Sequence, residues 1–194
     1  MGGMSAPAKD DRFSLVVLCT ANRFRSPICA GHVRLLTAEL PVDVRSAAVS
    51  GPSGPRALAR ALELAAAGGI DLRGHRASTL EPGALTEADL VLGFEQAHVA
   101  AAVVDGGARR ERAFTLPEFV PLAEAVAVAD DSNPVDHARK VVALAAERRA
   151  ASPRSVSAEL ADPVGGPARG YDEAARALER LSARLVRSLF GVSV

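Results

Sequence analysis

The residues of this chain best suited to chemistry are a cysteine and an arginine six positions apart, in the run Leu18-Cys19-Thr20-Ala21-Asn22-Arg23-Phe24-Arg25-Ser26-Pro27. A loop curled between them can aim backbone N–H groups and the positive end of a following helix at one point, which is how proteins bind a phosphate dianion. The same positive field favours a thiolate. Because Arg25 adds a fork of donors for two phosphoryl oxygens, Cys19 could attack phosphorus without a metal.

The elements around this loop alternate between short β-branched runs and longer helical segments, which is typical of parallel βαβ units. Strands are predicted at 14–19, 42–49, 88–94 and 112–116. Helices are predicted at 26–40, 55–67, 95–104, 135–150 and 171–190. Ser26 is expected to cap the first helix, with Pro27 in its first turn. The loop would therefore join the first strand to the first helix of an α/β fold.

The amino-acid composition excludes several classes of function. Of the 194 residues, 48% are hydrophobic and 24% are charged, so a sizeable core can form. Because Lys+Arg and Asp+Glu both number 23, there is no electrostatic argument for a nucleic-acid or membrane-surface binder. Cys19 and Cys29 are too few for a disulfide framework or a zinc site, and no apolar run is typical of a transmembrane helix or signal peptide. We expect a cytoplasmic protein without a metal or another cofactor.

The loop resembles the active-site loop of the low-molecular-weight protein tyrosine phosphatases, whose pattern is C-x-G-N-x-C-R-S-P after a first strand. Cys19, Asn22, Arg25, Ser26 and Pro27 match it. Further segments resemble the same family in the same order, namely Ser46-Ala47-Ala48, Gly69-Ile70-Asp71 to His75-Arg76-Ala77, Ala88 to Leu92, and Asp162-Pro163 before the last helix. The resemblance covers about residues 13–190 and implies a small parallel four-stranded twisted sheet flanked by helices on both faces. We expect a disordered lead at 1–12 and a single phosphatase-like domain at 13–194, with an insertion around 120–151.

The resemblance also implies roles for individual residues. Cys19 would be the nucleophile, Arg25 the phosphate clamp, and Asp162, supported by Pro163, the general acid and later the base that activates water. Ser26 would stabilise the thiolate. Asn22 would hold the loop in a left-handed turn, with His75 bonded to it. The phosphate-binding set implied in this way is Thr20, Ala21, Asn22, Arg23, Phe24, Arg25 and Ser26.

Three positions depart from the family pattern. Ala21 replaces a glycine, which implies either a negative φ or strain. Phe24 replaces a second loop cysteine, so the usual disulfide partner of the nucleophile is missing. Val164 follows Asp162-Pro163 where many members carry an aromatic wall, although Phe24 could supply one instead. A strong preference for phosphotyrosine is therefore not expected.

Several alternatives stay open from the sequence. An arsenate reductase would have to borrow external thiols, because no cysteine follows Cys29. A phosphate-binding pseudophosphatase could regulate a partner. If the protein is a phosphatase, the expected substrate is a phosphorylated protein or a small phosphomonoester, with no nucleic acid or membrane involved. The sequence does not indicate the oligomeric state. His32, His98 and His137 are expected to be surface or packing residues, and Tyr171 could border the site.

Overall fold

A computed structural model of the protein describes residues 11–128, 133–151 and 158–191. Its strands are β1 (Phe13–Cys19), β2 (Val42–Ala48), β3 (Leu90–Gly93) and β4 (Ala113–Thr115). Its α-helices are α1 (Arg25–Leu36), α2 (Ala59–Ala67), α3 (Gln96–Val104), α4 (Leu116–Glu124), α5 (Pro134–Ala151) and α6 (Ala168–Phe190). The strands form one sheet in the order β2-β1-β3-β4, and every pair is parallel. The predicted parallel four-stranded α/β fold is confirmed.

β1 lies in the middle of the sheet and is covered on both sides. Phe13, Leu15 and Val17 pack into the larger core cluster, which includes residues of α1, α5 and α6. Val16 and Leu18 face a smaller cluster that includes α3 residues. Side chains alternate between the two faces of a strand, so a continuous apolar run such as this one supplies both layers. The result is a three-layer arrangement of helices, sheet and helices.

The sheet topology brings the loops after β1 and β3 together. From β1 the chain moves to β2 on one side, whereas β3 and β4 lie on the other side. In open parallel sheets, the crevice at the carboxyl ends of the strands where the direction reverses is the common ligand site. Cys19 ends β1 at this point, and Gly93 ends β3.

The helix starts differ from the sequence prediction by one to four residues, and the starts of α1 and α2 show why. α1 begins at Arg25 with Phe24 as N-cap, and it ends at Leu36 instead of Leu40. The Ser26 side chain is directed to the loop, so it does not cap the helix. α2 begins at Ala59 because residues 55–57 form backbone contacts with residues 75–77. The first difference involves side-chain contacts of Ser26 and the second involves backbone contacts, and the helical pattern records neither.

The stretch 120–151 holds the end of α4, which the sequence analysis did not assign, and all of α5. Thr115 caps α4, and its hydroxyl accepts a hydrogen bond from the Glu118 amide at 3.2 Å. That this stretch is an insertion stays a prediction. Most of the expected disordered lead falls outside the described residues. Within the described ranges, no helix is long and apolar enough to cross a membrane.

Candidate active site

The cysteine at the end of β1 lies beside a hydroxyl group whose orientation is fixed. Cys19 Sγ is 3.0 Å from Ser26 Oγ, and Asn22 Nδ2 donates to the same Oγ at 2.8 Å. Because Ser26 Oγ accepts this bond from Asn22, its own proton is free to point at the sulfur. All three side chains are buried. The arrangement can therefore donate a hydrogen bond to a thiolate at Cys19.

Asn22 holds the loop in a left-handed conformation. Its φ of 52° is the only positive φ of a non-glycine residue among the described residues, so Ala21 does not adopt the left-handed region. Asn22 Oδ1 accepts from the Ser78 amide at 3.1 Å, and the Asn22 carbonyl lies 2.8 Å from His75 Nε2. Asparagine tolerates this backbone region better than most residues. These bonds tie the loop to the segment 75–78.

Arg25 is the largest polar side chain in the interior, with 1% of its surface exposed. Nη1 donates to Glu95 Oε1 and to the Leu160 carbonyl, the latter at 2.9 Å. Nη2 donates to Asp162 Oδ2 at 2.6 Å and to Thr20 Oγ1 at 3.1 Å. The guanidinium carbon also lies 5.6 Å from the centre of the Phe94 ring. A buried cation with this many acceptors has a fixed position at the end of the loop.

His98 is buried in the same region, with 1% of its surface exposed, which fits the expected packing residue and excludes a surface position. Its Nδ1 accepts from the amides of Phe94 and Glu95, both at 3.2 Å. Nε2 therefore carries the proton and donates to Thr20 Oγ1 at 3.2 Å. Burial, followed by the charge of Arg25, lowers the pKa of His98. A Cβ atom at Gly93 would lie 2.6 Å from the His98 Cβ, so glycine at the end of β3 permits this close approach.

Asp162 reaches the site on a loop that is anchored at both ends. Before it, the Leu160 amide donates to the Phe94 carbonyl at 2.9 Å, and Glu159 accepts from the Gln96 amide at 2.8 Å. After it, the Gly165 amide donates to the Tyr171 hydroxyl at 3.2 Å. Pro163 is buried, and the Asp162 side chain is 35% exposed. The carboxyl group is thus held beside Arg25 and still contacts solvent.

These groups border one small pocket of about 60 Å³ at the carboxyl end of β1, lined by Cys19, Ala21, Arg23, Phe24, Arg25, Leu58, Asp162 and Val164. Phe24 is only 2% exposed, and its ring packs edge-on against Tyr171 at 5.1 Å. Phe24 therefore does not form an exposed aromatic wall. Val164, with 53% of its surface exposed, and Leu58 make the outer border aliphatic.

The second cysteine lies apart from this pocket. Cys29 is fully buried in α1, and its sulfur lies 3.5 Å from Ser182 Oγ. Burial raises the pKa of Cys29 to about 11, so its reactive thiolate form is scarce near neutral pH. Across the described ranges, no group of three or more His, Cys, Asp or Glu side chains is arranged to hold a metal ion.

The structure brings together the predicted loop 19–26, His75 and Asp162-Pro163. The sequence analysis gave no site role to Glu95 and His98, both of which contact residues of the loop. Glu95 had a detectable signal, because it directly follows a buried strand whose end was predicted to lie at the same sheet edge as Cys19. A lone histidine three residues into a helix carries no such signal.

A parallel three-layer fold with a cysteine at the end of a strand, a loop of backbone amides and an arginine at a helix start is the type of site that cysteine-dependent phosphatases use. The chain belongs to the family described as low molecular weight phosphotyrosine protein phosphatase, whose sequence profile matches residues 14–147. Over 88 residues it is 41% identical to the low molecular weight protein-tyrosine-phosphatase Etp of Escherichia coli K12, a match covering 45% of this chain and 57% of Etp. The chain thus aligns with little more than half the length of this curated relative.

Two solved structures resemble nearly the whole chain. The low molecular weight protein tyrosine phosphatase from T. tengcongensis is 25% identical, with a TM-score of 0.66, and the match covers 90% of this chain and 98% of that one. The arginine phosphatase YwlE from Geobacillus stearothermophilus is 26% identical, with a TM-score of 0.66, covering 91% and 92% of the two chains. The fold expected from the family resemblance is therefore shown.

Proposed function

We propose that this protein hydrolyses phosphomonoesters through a phosphate bound covalently to Cys19, without a metal. The observation that carries the proposal is one pocket bordered by a cysteine, a buried arginine and a carboxyl group, Cys19, Arg25 and Asp162. These three residue types are sufficient for nucleophilic attack on phosphorus, charge stabilisation and proton transfer. The proposed substrates are phosphorylated proteins or small phosphomonoesters.

In the first step, the Cys19 thiolate attacks phosphorus, and a P–S bond forms as the bond to the leaving oxygen breaks. Asp162 gives its proton to that oxygen. Arg25 and the amides of residues 20–25 stabilise the phosphoryl oxygens. The hydrogen bond available from Ser26 supports the thiolate before attack and when it leaves again.

In the second step, the Asp162 carboxylate accepts a proton from water as the water oxygen attacks phosphorus. The P–S bond breaks, which releases inorganic phosphate and restores the Cys19 thiolate. Asn22, held by His75 and Ser78, keeps the loop in the conformation that both steps need. Pro163, buried behind the acid, supports its loop.

Arg25 must change its contacts when substrate binds. Both of its terminal nitrogens donate to carboxylates, from Glu95 and Asp162. A phosphoryl group that takes the two-point contact has to replace one carboxylate or share a nitrogen with it. Asp162 lies on a loop and Glu95 at the start of α3, so we propose that Asp162 moves towards the leaving oxygen.

The alternatives find less support. The buried Cys29, with its raised pKa, is unsuited to resolving an arsenate adduct on Cys19. A pseudophosphatase would not need the nucleophile, clamp and acid to share one pocket.

One structural relative is an arginine phosphatase. A phosphorylated guanidinium group would lie close to Arg23 at the pocket mouth, and this like charge favours a phosphate ester instead.

The test is hydrolysis of 4-nitrophenyl phosphate in the presence of EDTA, with rapid quenching and mass spectrometry of the protein. We expect turnover by the unchanged protein and a phosphate adduct on the peptide that contains Cys19. Cys19→Ala and Cys19→Ser should abolish both, because a serine hydroxyl does not ionise near neutral pH. Cys29→Ala is the matched control and should keep both. Full activity in Cys19→Ala would overturn the proposal.

A further inference from the structure

The mouth of the candidate active site carries three arginines, Arg23, Arg56 and Arg76, which we call the arginine rim. Arg23 borders the pocket together with Cys19 and Asp162. Its Nε donates to the Arg56 carbonyl at 2.9 Å. Arg56 in turn pairs with Arg76 through an antiparallel β-bridge. A side-chain hydrogen bond from Arg23 and a backbone bridge thus link the three residues one to the next, starting at the pocket.

Hydrogen bonds fix this rim to the loop at several points. The Leu58 amide donates to the Arg23 carbonyl at 3.0 Å, and the Ala77 amide donates to the Pro55 carbonyl at 2.8 Å. His75, adjacent to Arg76, contacts the Asn22 carbonyl in the loop. The rim therefore has a defined position relative to Cys19, while the side chains of Arg56 and Arg76 are exposed.

The positive charge of the rim is not neutralised by the described part of the protein. No carboxylate in those ranges lies within 4.0 Å of the guanidinium nitrogens of Arg23, Arg56 or Arg76. By contrast, the nearby Arg73 pairs with Asp71, and Arg60 pairs with both Glu63 and Asp172. The net charge of the chain is zero, so the rim is a local feature and not a consequence of a basic protein.

The shape of the site indicates what such a rim would bind. The pocket, at about 60 Å³, is small, and its lining includes Arg23 but neither Arg56 nor Arg76. A phosphate group filling the pocket would engage Arg25, so the rim needs further negative groups outside the pocket. Carboxylates spaced along an extended chain fit this requirement, and arginine binds carboxylates with two parallel hydrogen bonds.

We propose that the arginine rim selects phosphorylated peptides with aspartate or glutamate next to the phosphorylated residue. This inference rests on the proposed phosphatase activity and adds the class of substrate. Exposed ion pairs each change affinity by about 1.4- to 5-fold, so two or three contacts should give about a ten-fold preference. Positive charge at the mouth also speeds the encounter with an acidic ligand at low salt.

The experiment compares kcat/KM for two phosphotyrosine peptides that differ only in whether the flanking residues are Asp/Glu or Asn/Gln. The unchanged protein should prefer the acidic peptide about ten-fold at 20 mM salt, and the preference should shrink at 0.5 M salt because screening weakens exposed charge pairs. Arg23→Gln, Arg56→Gln and Arg76→Gln should each reduce the ratio of the two values by about 1.4- to 5-fold. The corresponding lysine variants should restore only part of it, because an ammonium group keeps the charge but cannot form the two parallel hydrogen bonds.

Arg45→Gln is the matched control. Arg45 is exposed, has no carboxylate within 4.0 Å in the described ranges, and borders a different cleft near Arg12 and Glu87. It should leave the ratio unchanged. A ratio near one in the unchanged protein, or an equal loss in Arg45→Gln and the rim variants, would overturn the inference.

Two further measurements separate the possible failures. Fluorescence anisotropy measures the binding of both peptides to Cys19→Ala and so tests the rim without turnover. A loss of activity can then be distinguished from a loss of selectivity. The ratio of 4-carboxyphenyl phosphate to phenyl phosphate turnover tests a small anionic substrate. A rim dependence seen with these small esters and not with peptides would overturn the assignment to acidic peptides.

Discussion

Replacing Asp162 with asparagine separates the two things that its carboxyl group does. The side chain keeps its size and its acceptor for the Val164 amide, which donates to Asp162 Oδ1 at 3.2 Å. It loses the acidic proton and the negative charge that pairs with Arg25 Nη2. The loss of the acidic proton should slow the reaction. The loss of the negative charge should tighten the binding of anions.

The sizes of the loss in rate and of the gain in anion binding follow from the contacts of Asp162. A positioned general acid contributes about 10²–10⁴-fold, and this loss should appear in full for phenyl phosphate, whose leaving group needs a proton. It should be nearly absent for a nitrophenolate. Since the Asp162 side chain is 35% exposed, its pair with Arg25 is treated as a partly solvated one worth about 0.2–1 kcal/mol. Inorganic phosphate should therefore inhibit Asp162→Asn at about 1.4- to 5-fold lower concentration.

The assay is kcat for a series of aryl phosphates, plotted against the pKa of the leaving phenol, together with phosphate inhibition constants. Asp162→Asn should show the steeper dependence. Glu95→Gln is the control, because it removes the other carboxylate on Arg25 without removing the proposed acid. It should lower kcat about equally across the series. If Asp162→Asn and the unchanged protein share one slope, Asp162 is only a turn residue, and a steep slope in Glu95→Gln would identify Glu95 as the acid.

Three further variants test other parts of the site. Arg25→Lys should weaken vanadate inhibition about 10- to 100-fold, because an ammonium group loses at least one charge-assisted hydrogen bond to the anion; unchanged inhibition would locate the anion elsewhere. Val164→Tyr should raise kcat/KM for phosphotyrosine about three- to ten-fold by supplying the missing aromatic wall, and no gain would mean that this loop does not close on the substrate. The lowered pKa of His98 means that the folded protein binds fewer protons than the unfolded chain below pH 6.5, so the free energy of unfolding should fall as pH drops from there through the lowered pKa. In urea denaturation, His98→Gln should flatten this decline, and an identical pH dependence would contradict the assignment.

Local patterns were sufficient to predict the sheet and the position of the loop. β1 and β3 are short apolar runs, β2 alternates buried and exposed residues at its start, and α2 ends before Gly68-Gly69, with Gly69 at a φ of 77°. The first residues of the helices were harder to predict, because the residue types that favour an N-cap also form side-chain hydrogen bonds within loops. Ser26 is a good N-cap by type, yet its hydroxyl contacts Cys19 and Asn22. Its functional contact therefore overrides its usual structural preference.

The surroundings of Arg25 could not be predicted from local sequence. Its acceptors come from three separate segments, at Thr20, at Glu95, and at Leu160 and Asp162, and Asp162 is 137 positions from Arg25 in the sequence. Only the packing of the β1 and β3 loops at one sheet edge brings these groups together. The family resemblance supplied Asp162, whereas the position of Glu95 after a buried strand indicates its sheet edge and not its contact with Arg25.

The charges around Arg25 connect the geometry to the proposed chemistry. One guanidinium group faces the carboxylates of Glu95 and Asp162, and a nucleophile that reacts as an anion lies in the same pocket. A phosphate dianion adds two more like charges, which the loop amides and the start of α1 offset only in part. Glu95 directly precedes α3, where the helix dipole favours a negative charge. Asp162 lies on a loop without that stabilisation, so it is the carboxylate that can more readily leave Arg25 when the dianion binds. The group proposed to protonate the leaving oxygen is therefore also the one that makes room for the substrate's charge.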